Sequence, residues 1–281
     1  MNNELIWLGH NFWRLRLGKT VFAVDPFFTP QTREATDRVV DDAPEIFHDG
    51  DSMKMQNVVK TDYVLLSHGH VDHCAEAQMI LTINDATLIA IAEVATWFRQ
   101  KGCQKVEPMN VGGSLRIKTK TPPYNIRVVM VSASHSSTLP DGTPGGNAVG
   151  FLVSFPKMKN GGYVNNDGSI GFSKPFRPLS EILADCHNIY FACDTGWTAE
   201  MPWIGRLGID LAVLPIGDRY TMGPELSLDA IAALKPKTVI PGHFNTWPPV
   251  AQDAEAWADA VRRQGIAEPV VLSGPLDRYT F

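Results

Sequence analysis

Apolar positions along this chain fall into short runs separated by polar, Gly- and Pro-rich punctuation. Residues 5–8, 12–17 and 20–24 come first, with Gly18-Lys19 between the second and third. Short β-branched and aromatic runs around a Gly-containing pair predict strands joined by a tight hairpin. Asp25-Pro26 closes this set, because proline removes a donor and restricts the residue before it. Strands are predicted at 63–66, 87–90, 115–118, 126–131 and 148–155, with helices over 75–83 and 93–101 and Gly102 as the second helix stop. In the last third, strands at 189–193, 211–215, 238–240 and 270–272 accompany helices at 225–234 and 254–264. Pro224 stands where a first helical turn accepts it. Antiparallel strands in front and strand–helix alternation behind predict an α/β protein of two packed sheets with helices outside.

Two stretches break the rhythm. Residues 27–60 are polar, charged and weakly periodic, with at most short helical turns expected. Residues 157–188 are rich in Gly, Asn and Pro (Asn160-Gly161-Gly162, Asn165-Asn166-Asp167-Gly168), with a short helix expected over 179–185. Loops of such length inside a compact unit are uncommon and often act as lids. At 281 residues the chain is long for one core and short for two independent ones, so one unit over 1–281 with two lid insertions is expected. There is no internal repeat of fixed short period.

Four strand-like runs end in metal-ligand residue types. Residues 63–66 lead through Ser67 into His68-Gly69-His70-Val71-Asp72-His73. Residues 126–131 lead through Ser132-Ala133-Ser134 into His135. Residues 189–193 end at Asp194, and 238–241 lead through Gly242 into His243. The mouth of a sheet is where α/β proteins place their chemistry. In an extended segment, His68 and His70 point the same way and can reach one cation. Asp72 and His73 stand at a turn into a helix and can reach a neighbouring point. Imidazole and carboxylate suit Zn, Fe or Mn. No cysteine takes an obvious ligand position, although Cys74 follows His73 directly.

Composition narrows the partners. Net charge is −5, which disfavours a nucleic acid as the main partner. No apolar run approaches the ~20 residues of a membrane-spanning helix. Met1-Asn2-Asn3-Glu4 lacks the basic and apolar regions of a secretory signal. Cys74, Cys103, Cys186 and Cys193 are scattered, so free thiols and a cytoplasmic location are expected. A small-molecule substrate is the expected partner, and self-association into a homo-oligomer is compatible with the sequence.

The spacing His68-x-His70-x-Asp72-His73, followed by His135, Asp194 and His243, resembles the metallo-β-lactamase fold superfamily. Within it the chain is most similar to UPF0173-type metal-dependent hydrolases, related to the ascorbate-6-phosphate lactonases. Further matching stretches are Trp7-Leu8-Gly9-His10, Val24-Asp25-Pro26, Ile91-Ala92-Glu93, Pro108-Met109-Asn110-Val111-Gly112-Gly113, Leu214-Pro215-Ile216-Gly217, Thr221-Met222-Gly223-Pro224-Glu225 and Pro241-Gly242-His243-Phe244-Asn245-Thr246. The resemblance covers nearly the whole chain and departs at 27–60 and 157–188, which are longer than the pattern suggests.

This resemblance implies an αββα sandwich with two divalent metals at one edge, zinc foremost, with manganese or iron also accepted. His68, His70 and His135 would hold the first metal; Asp72, His73 and His243 the second; Asp194 would bridge them. Asp72, Asp194 and His243 are the residues expected closest to the chemistry. The implied reaction is hydrolysis of a small ester, lactone, amide or phosphodiester, with a lactone first by family analogy. Two alternatives stand beside it. A di-iron redox enzyme usually has Glu where His70 stands and an added flavin-binding domain. A nucleic-acid-processing phosphodiesterase would want a basic face.

Supporting candidates are Asp25, as acceptor for a ligand histidine, His10 at the pocket, and Asn245 and Thr246 as substrate-orienting groups. His48 is a lid candidate and His187 a surface one. Phe27, Phe28, Trp197 and Trp203 are candidate pocket walls or core.

Overall fold

The computed structural model describes residues 3–39, 59–123, 125–159, 162–163 and 177–281. Two seven-stranded mixed sheets carry the chain. The first runs, in spatial order, Arg278–Thr280, Glu4–Trp7, Trp13–Leu17, Thr20–Val24, Tyr63–Leu66, Thr87–Ile91 and Val106–Met109. The second runs Glu268–Pro269, Thr238–Gly242, Leu211–Pro215, Cys186–Phe191, Val149–Pro156, Asn125–Ser132 and Ser114–Lys118. Each sheet is an antiparallel meander on one side and parallel on the other.

Thr20–Val24, Val149–Pro156 and Leu211–Pro215 are buried at every position. Strands covered on both faces lose the in–out alternation, which is why these segments read as continuous apolar runs. Buried side chains from both sheets form one contiguous cluster in which Phe12, Trp13, Phe22, Phe151, Phe155 and Phe191 are the large members.

The strand directions decide where the chemistry gathers. Thr20–Val24 and Tyr63–Leu66 are parallel, so Asp25 and Ser67-His68 emerge at one edge of the first sheet. In the second sheet Cys186–Phe191 and Thr238–Gly242 run in the same sense, and Asn125–Ser132, two antiparallel steps away, shares it. Asp194, His243 and His135 therefore leave from a single edge. Two backbone hydrogen bonds join the sheets there: Val149 N–H to Ser67 O at 3.0 Å and His243 N–H to His10 O at 3.0 Å.

Several expected elements shift. The helix expected over 75–83 is Ala77–Asn84, and a short helix outside those bounds, Val71–Cys74, precedes it. The break falls at Ala75-Glu76, where the Glu76 carboxylate accepts from Phe28 N–H and Arg33. Residues 30–39 of the first long stretch form a ten-residue helix, Pro30–Val39. The second stretch contributes the pair Met158–Lys159 and Gly162–Tyr163 and the helix Leu179–Leu183. The strand expected at 270–272 is instead Glu268–Pro269, with one more rung from Val270 N–H to Val239 O. Strands Val106–Met109 and Arg278–Thr280, absent from the sequence reading, are short outer strands. Pro108 breaks the pattern of the first, and an edge is where a sheet accepts proline. No helix among the described residues is long and apolar enough to cross a membrane.

Candidate metal centre

Asp194 lies at the centre of the converging groups. Its Oδ2 is 3.0 Å from His243 Nε2, 3.3 Å from His73 Nε2 and 3.6 Å from His135 Nε2. Three imidazoles from three chain segments thus meet one carboxylate oxygen that is almost fully buried. On one side, His68, His70 and His135 bring ligand atoms within 4.8 Å of one another. His68 Nε2 and His70 Nδ1 are 3.0 Å apart. On the other side, Asp72, His73 and His243 form a second such group, joined by His10. The seven residues expected as ligands are therefore together.

The tautomers follow from the partners. Asp25 is an acceptor only, and it takes four donors: Ser67 N–H at 2.8 Å, Ser67 Oγ–H at 2.7 Å, Asn11 Nδ2–H at 3.2 Å and His73 Nδ1–H at 2.9 Å. With its hydroxyl proton given to Asp25, Ser67 Oγ accepts from His68 Nδ1–H at 2.8 Å. Both His68 and His73 consequently turn an unprotonated Nε2 inward when neutral, which is the form a metal needs. Asp25, His68 and His73 also lie within ligand reach of one another, but their mutual contacts are already hydrogen bonds, so this third group reads as the outer support of the other two. Ser67 and Asn11 were not singled out from the sequence; their only signal is adjacency to His68 and His10.

Charge bears the same stamp. Burial holds His68 well below the usual histidine range, and burial likewise lowers His70 and His135, which favours neutral imidazoles. Burial would raise Asp194 and lower His73, but their mutual attraction outweighs it. With His243 added, Asp194 is held well below the carboxylate range; with Asp25 added, His73 is held well above the histidine range. With Asp25 and Asp194 on either side, the His73 ring stands where positive charge is favoured.

The residues fit a metal. Seven buried side-chain N or O atoms among the described residues lack a hydrogen-bond partner, and four of them sit here: His10 Nε2, His73 Nε2, Asp194 Oδ1 and His243 Nδ1. Two imidazoles sharing one cation at about 2.0–2.1 Å hold their ring centres roughly 4.5–5.7 Å apart, for angles of about 90–125°. The His68–His70, His68–His135 and His70–His135 rings stand at 4.6, 5.0 and 5.1 Å, and His73–His243 at 5.7 Å. Nitrogen and oxygen donors with no thiolate suit Zn, Mn or Fe.

The other candidates divide. Thr246 Oγ1 bonds His10 Nδ1 at 2.8 Å, so both enter the cluster. Asn245 does not: its Oδ1 accepts from Gln252 N–H at 2.7 Å and closes its own loop. Phe27 and Trp247 stand 6.0 Å apart and tilted to each other, each edgewise to His10, and Trp247 is well exposed. Trp197 is exposed three residues beyond Asp194, whereas Phe28 is core and packs on Phe12. Trp203 is exposed on the helix Met201–Gly205, outside the cluster. His187 lies at the opposite end of its strand from Asp194, against Phe155. His48 falls outside the described residues. All four cysteines are free and buried.

Comparison with known proteins identifies the family. Residues 22–163 match the beta-lactamase superfamily domain. A UPF0173 metal-dependent hydrolase of Thermus thermophilus is 34% identical over 277 residues, spanning 98% of each chain. Another from Methanopyrus kandleri is 30% identical and spans 98% of this chain and 99% of its own. Among solved structures, a metallo hydrolase of the archaeon Ignicoccus hospitalis superposes with a TM-score of 0.74 at 26% identity, covering 100% of this chain and 99% of that one.

Proposed function

The chain belongs to the UPF0173 metal-dependent hydrolases of the beta-lactamase superfamily, and on that premise we propose that it hydrolyses a small neutral ester or lactone at a two-metal centre. The observation that carries this reading is the meeting of three imidazole nitrogens within 3.6 Å of Asp194 Oδ2, flanked by the His68–His70 pair and by Asp72.

In this assignment His68, His70 and His135 would hold one cation and Asp72, His73 and His243 the other, with Asp194 within reach of both groups. When bound, such a pair supplies Lewis-acid polarisation of the scissile group and acidifies water. The chain's own work is orientation. Asp25 keeps the protons of His73 and, through Ser67, of His68 on their outward nitrogens, so the inward ones stay available. Deep burial of His68, His73 and Asp194 keeps bulk water from competing for them. Phe27 and Trp247 offer an apolar wall beside the centre. The three carboxylates Asp25, Asp72 and Asp194 have ion pairs only with histidines among the described residues. A wall of aromatics and no Lys or Arg paired into the cluster favour an uncharged ester or lactone over a phosphodiester.

The test is a panel of esters, lactones, amides and phosphodiesters, offered to zinc- and manganese-loaded protein with and without chelator. Turnover of an ester or lactone that chelation abolishes and metal restores is expected, with Asp194→Ala lowering turnover at least a hundredfold, the order seen when one transition-state electrostatic element is removed. Inertness across the panel, or turnover that survives chelation, would contradict the proposal.

A further inference from the structure

His10 and Asp25 are buried residues of the cluster outside the seven-ligand scheme, and of the two only Asp25 has an assigned role. His10 is 1% exposed and held in the left-handed region (φ 51°), directly after Gly9 at φ 96°. The turn is fixed on both sides: Trp7 Nε1–H and His243 N–H each donate to the His10 carbonyl at 3.0 Å. A histidine in that backbone region is uncommon and is kept where surrounding structure demands it. The ring has two ends. Nδ1 lies 2.8 Å from Thr246 Oγ1, on the segment that follows His243. Nε2 has no hydrogen-bond partner, and the carboxylate oxygen it faces is Asp72 Oδ2 at 3.3 Å.

Two roles fit that placement, a further metal ligand or an aligning donor to Asp72, and ring geometry separates them. The His10 ring centre is 4.1 Å from that of His243, tilted by 47°. This is closer than the roughly 4.5 Å lower limit for two imidazoles on one cation. The His10–His73 separation of 5.5 Å would by itself allow a shared ion. A cation held by both His73 and His243, however, would bring His10 too close to the His243 ring, so His10 stands tilted against His243 instead of joining that site.

We propose that His10 is a positioning residue for the second metal: Thr246 donates its hydroxyl proton to Nδ1, which leaves the ring proton on Nε2, and Nε2–H holds one oxygen of Asp72 so that the other faces the cation. Asp72 needs such a hold because its side chain is about a third exposed, whereas the other carboxylate ligand, Asp194, is 3% exposed and fixed by its imidazoles. The device makes the two metal positions unequal. The position at His68, His70 and His135 does not depend on His10, and the one at Asp72, His73 and His243 does. This inference rests on the two-metal reading above.

The experiment is calorimetric zinc titration of metal-free protein, with elemental analysis after dialysis, for wild type, His10→Ala, His10→Gln and Thr246→Val. Wild type should bind two zinc ions per chain. His10→Ala should keep the first and bind the second 10–100-fold more weakly, the range for loss of an orienting partner. His10→Gln places an amide N–H near the former Nε2 and should recover most of that loss, and Thr246→Val should fall between wild type and His10→Ala. Circular dichroism and thermal unfolding of the metal-free variants keep a folding defect apart from a binding one. If His10→Ala binds both ions like wild type, the positioning role is wrong while the two-metal reading stands. If His10→Gln is as weak as His10→Ala, His10 is a ligand and not a positioner. If wild type binds fewer than two, the two-metal reading falls and this inference with it.

Discussion

Asp25 is the residue through which orientation reaches the ligands. It is fully buried, and its two oxygens take donors from Asn11, Ser67 and His73. Asp25→Asn keeps the volume but puts an amide where only acceptors fit, so a donor faces a donor. We expect zinc affinity to fall 10–100-fold, read by competition with a coloured chelator, with the metal-free fold retained. Unchanged affinity would remove Asp25 from the account. The convergence of the proposed ligands was legible from the sequence because His and Asp follow apolar runs at intervals chance seldom provides. Their geometry was not. His10, Asp25, Cys193, His243 and Asn245 all sit at positive φ, half of the ten non-glycine residues that do so among the described residues. Four of the five are His, Asp or Asn, the types that enter this region most readily after glycine. It remains uncommon even for them, so the sequence does not say which of its many His, Asp and Asn residues do so. Asn245 shows the cost: next to His243 in sequence, it turns its side chain to Gln252 instead.

Strands and helices set a second level of dependence, shown by the charged cluster on the first sheet. Glu4 lies opposite Arg16 on the neighbouring strand. Its Oε1 is 2.8 Å from Arg16 Nε and 3.1 Å from Arg14 Nη1, and its Oε2 is 3.6 Å from Arg278 Nη1 on the other side. Arg14 is 1% exposed, so its countercharge is not optional. Glu4→Gln should cost about 3 kcal/mol in urea unfolding at pH 7, as for a buried pair that loses one partner. Burial alone would raise the Glu4 carboxyl, but Arg16, Arg14 and Arg278 outweigh it and hold it below its ordinary 4.5. A depressed folded value means that this stabilisation is full above the unfolded value and disappears as pH falls through the folded one. Wild type should therefore lose the Glu4 contribution on acidification and Glu4→Gln should not. A parallel loss in both would contradict it. At this scale the sequence marked the continuous buried strands well. It began the helix at 75 instead of Ala77 and missed Val71–Cys74, because the break at Ala75-Glu76 is made by tertiary contacts of Glu76 with Phe28 and Arg33. It also passed over Val106–Met109, where Glu107 and Pro108 hide an edge strand.

Among the described residues, two sheets carry strands that deliver the proposed ligands to the same edge, closed there by the Val149–Ser67 and His243–His10 backbone bonds. No one segment contains the centre, since Asp194 Oδ2 gathers His73 from the first sheet and His135 and His243 from the second. Packing of the sheets and assembly of the site are therefore one event, and metal that binds only the assembled form should stabilise the fold. The sequence could announce this because every candidate ligand segment follows a strand. It could not announce the His10–Thr246 and Asp25–Ser67 links, which join residues 236 and 42 apart in the chain. The most direct measurement is anomalous diffraction at the zinc edge from crystals of the zinc-loaded protein. The account predicts two peaks about 3.5–4 Å apart, one among His68, His70 and His135, the other among Asp72, His73 and His243, with Asp194 between them. No peak at that edge, or zinc bound elsewhere while these side chains keep to themselves, would contradict it.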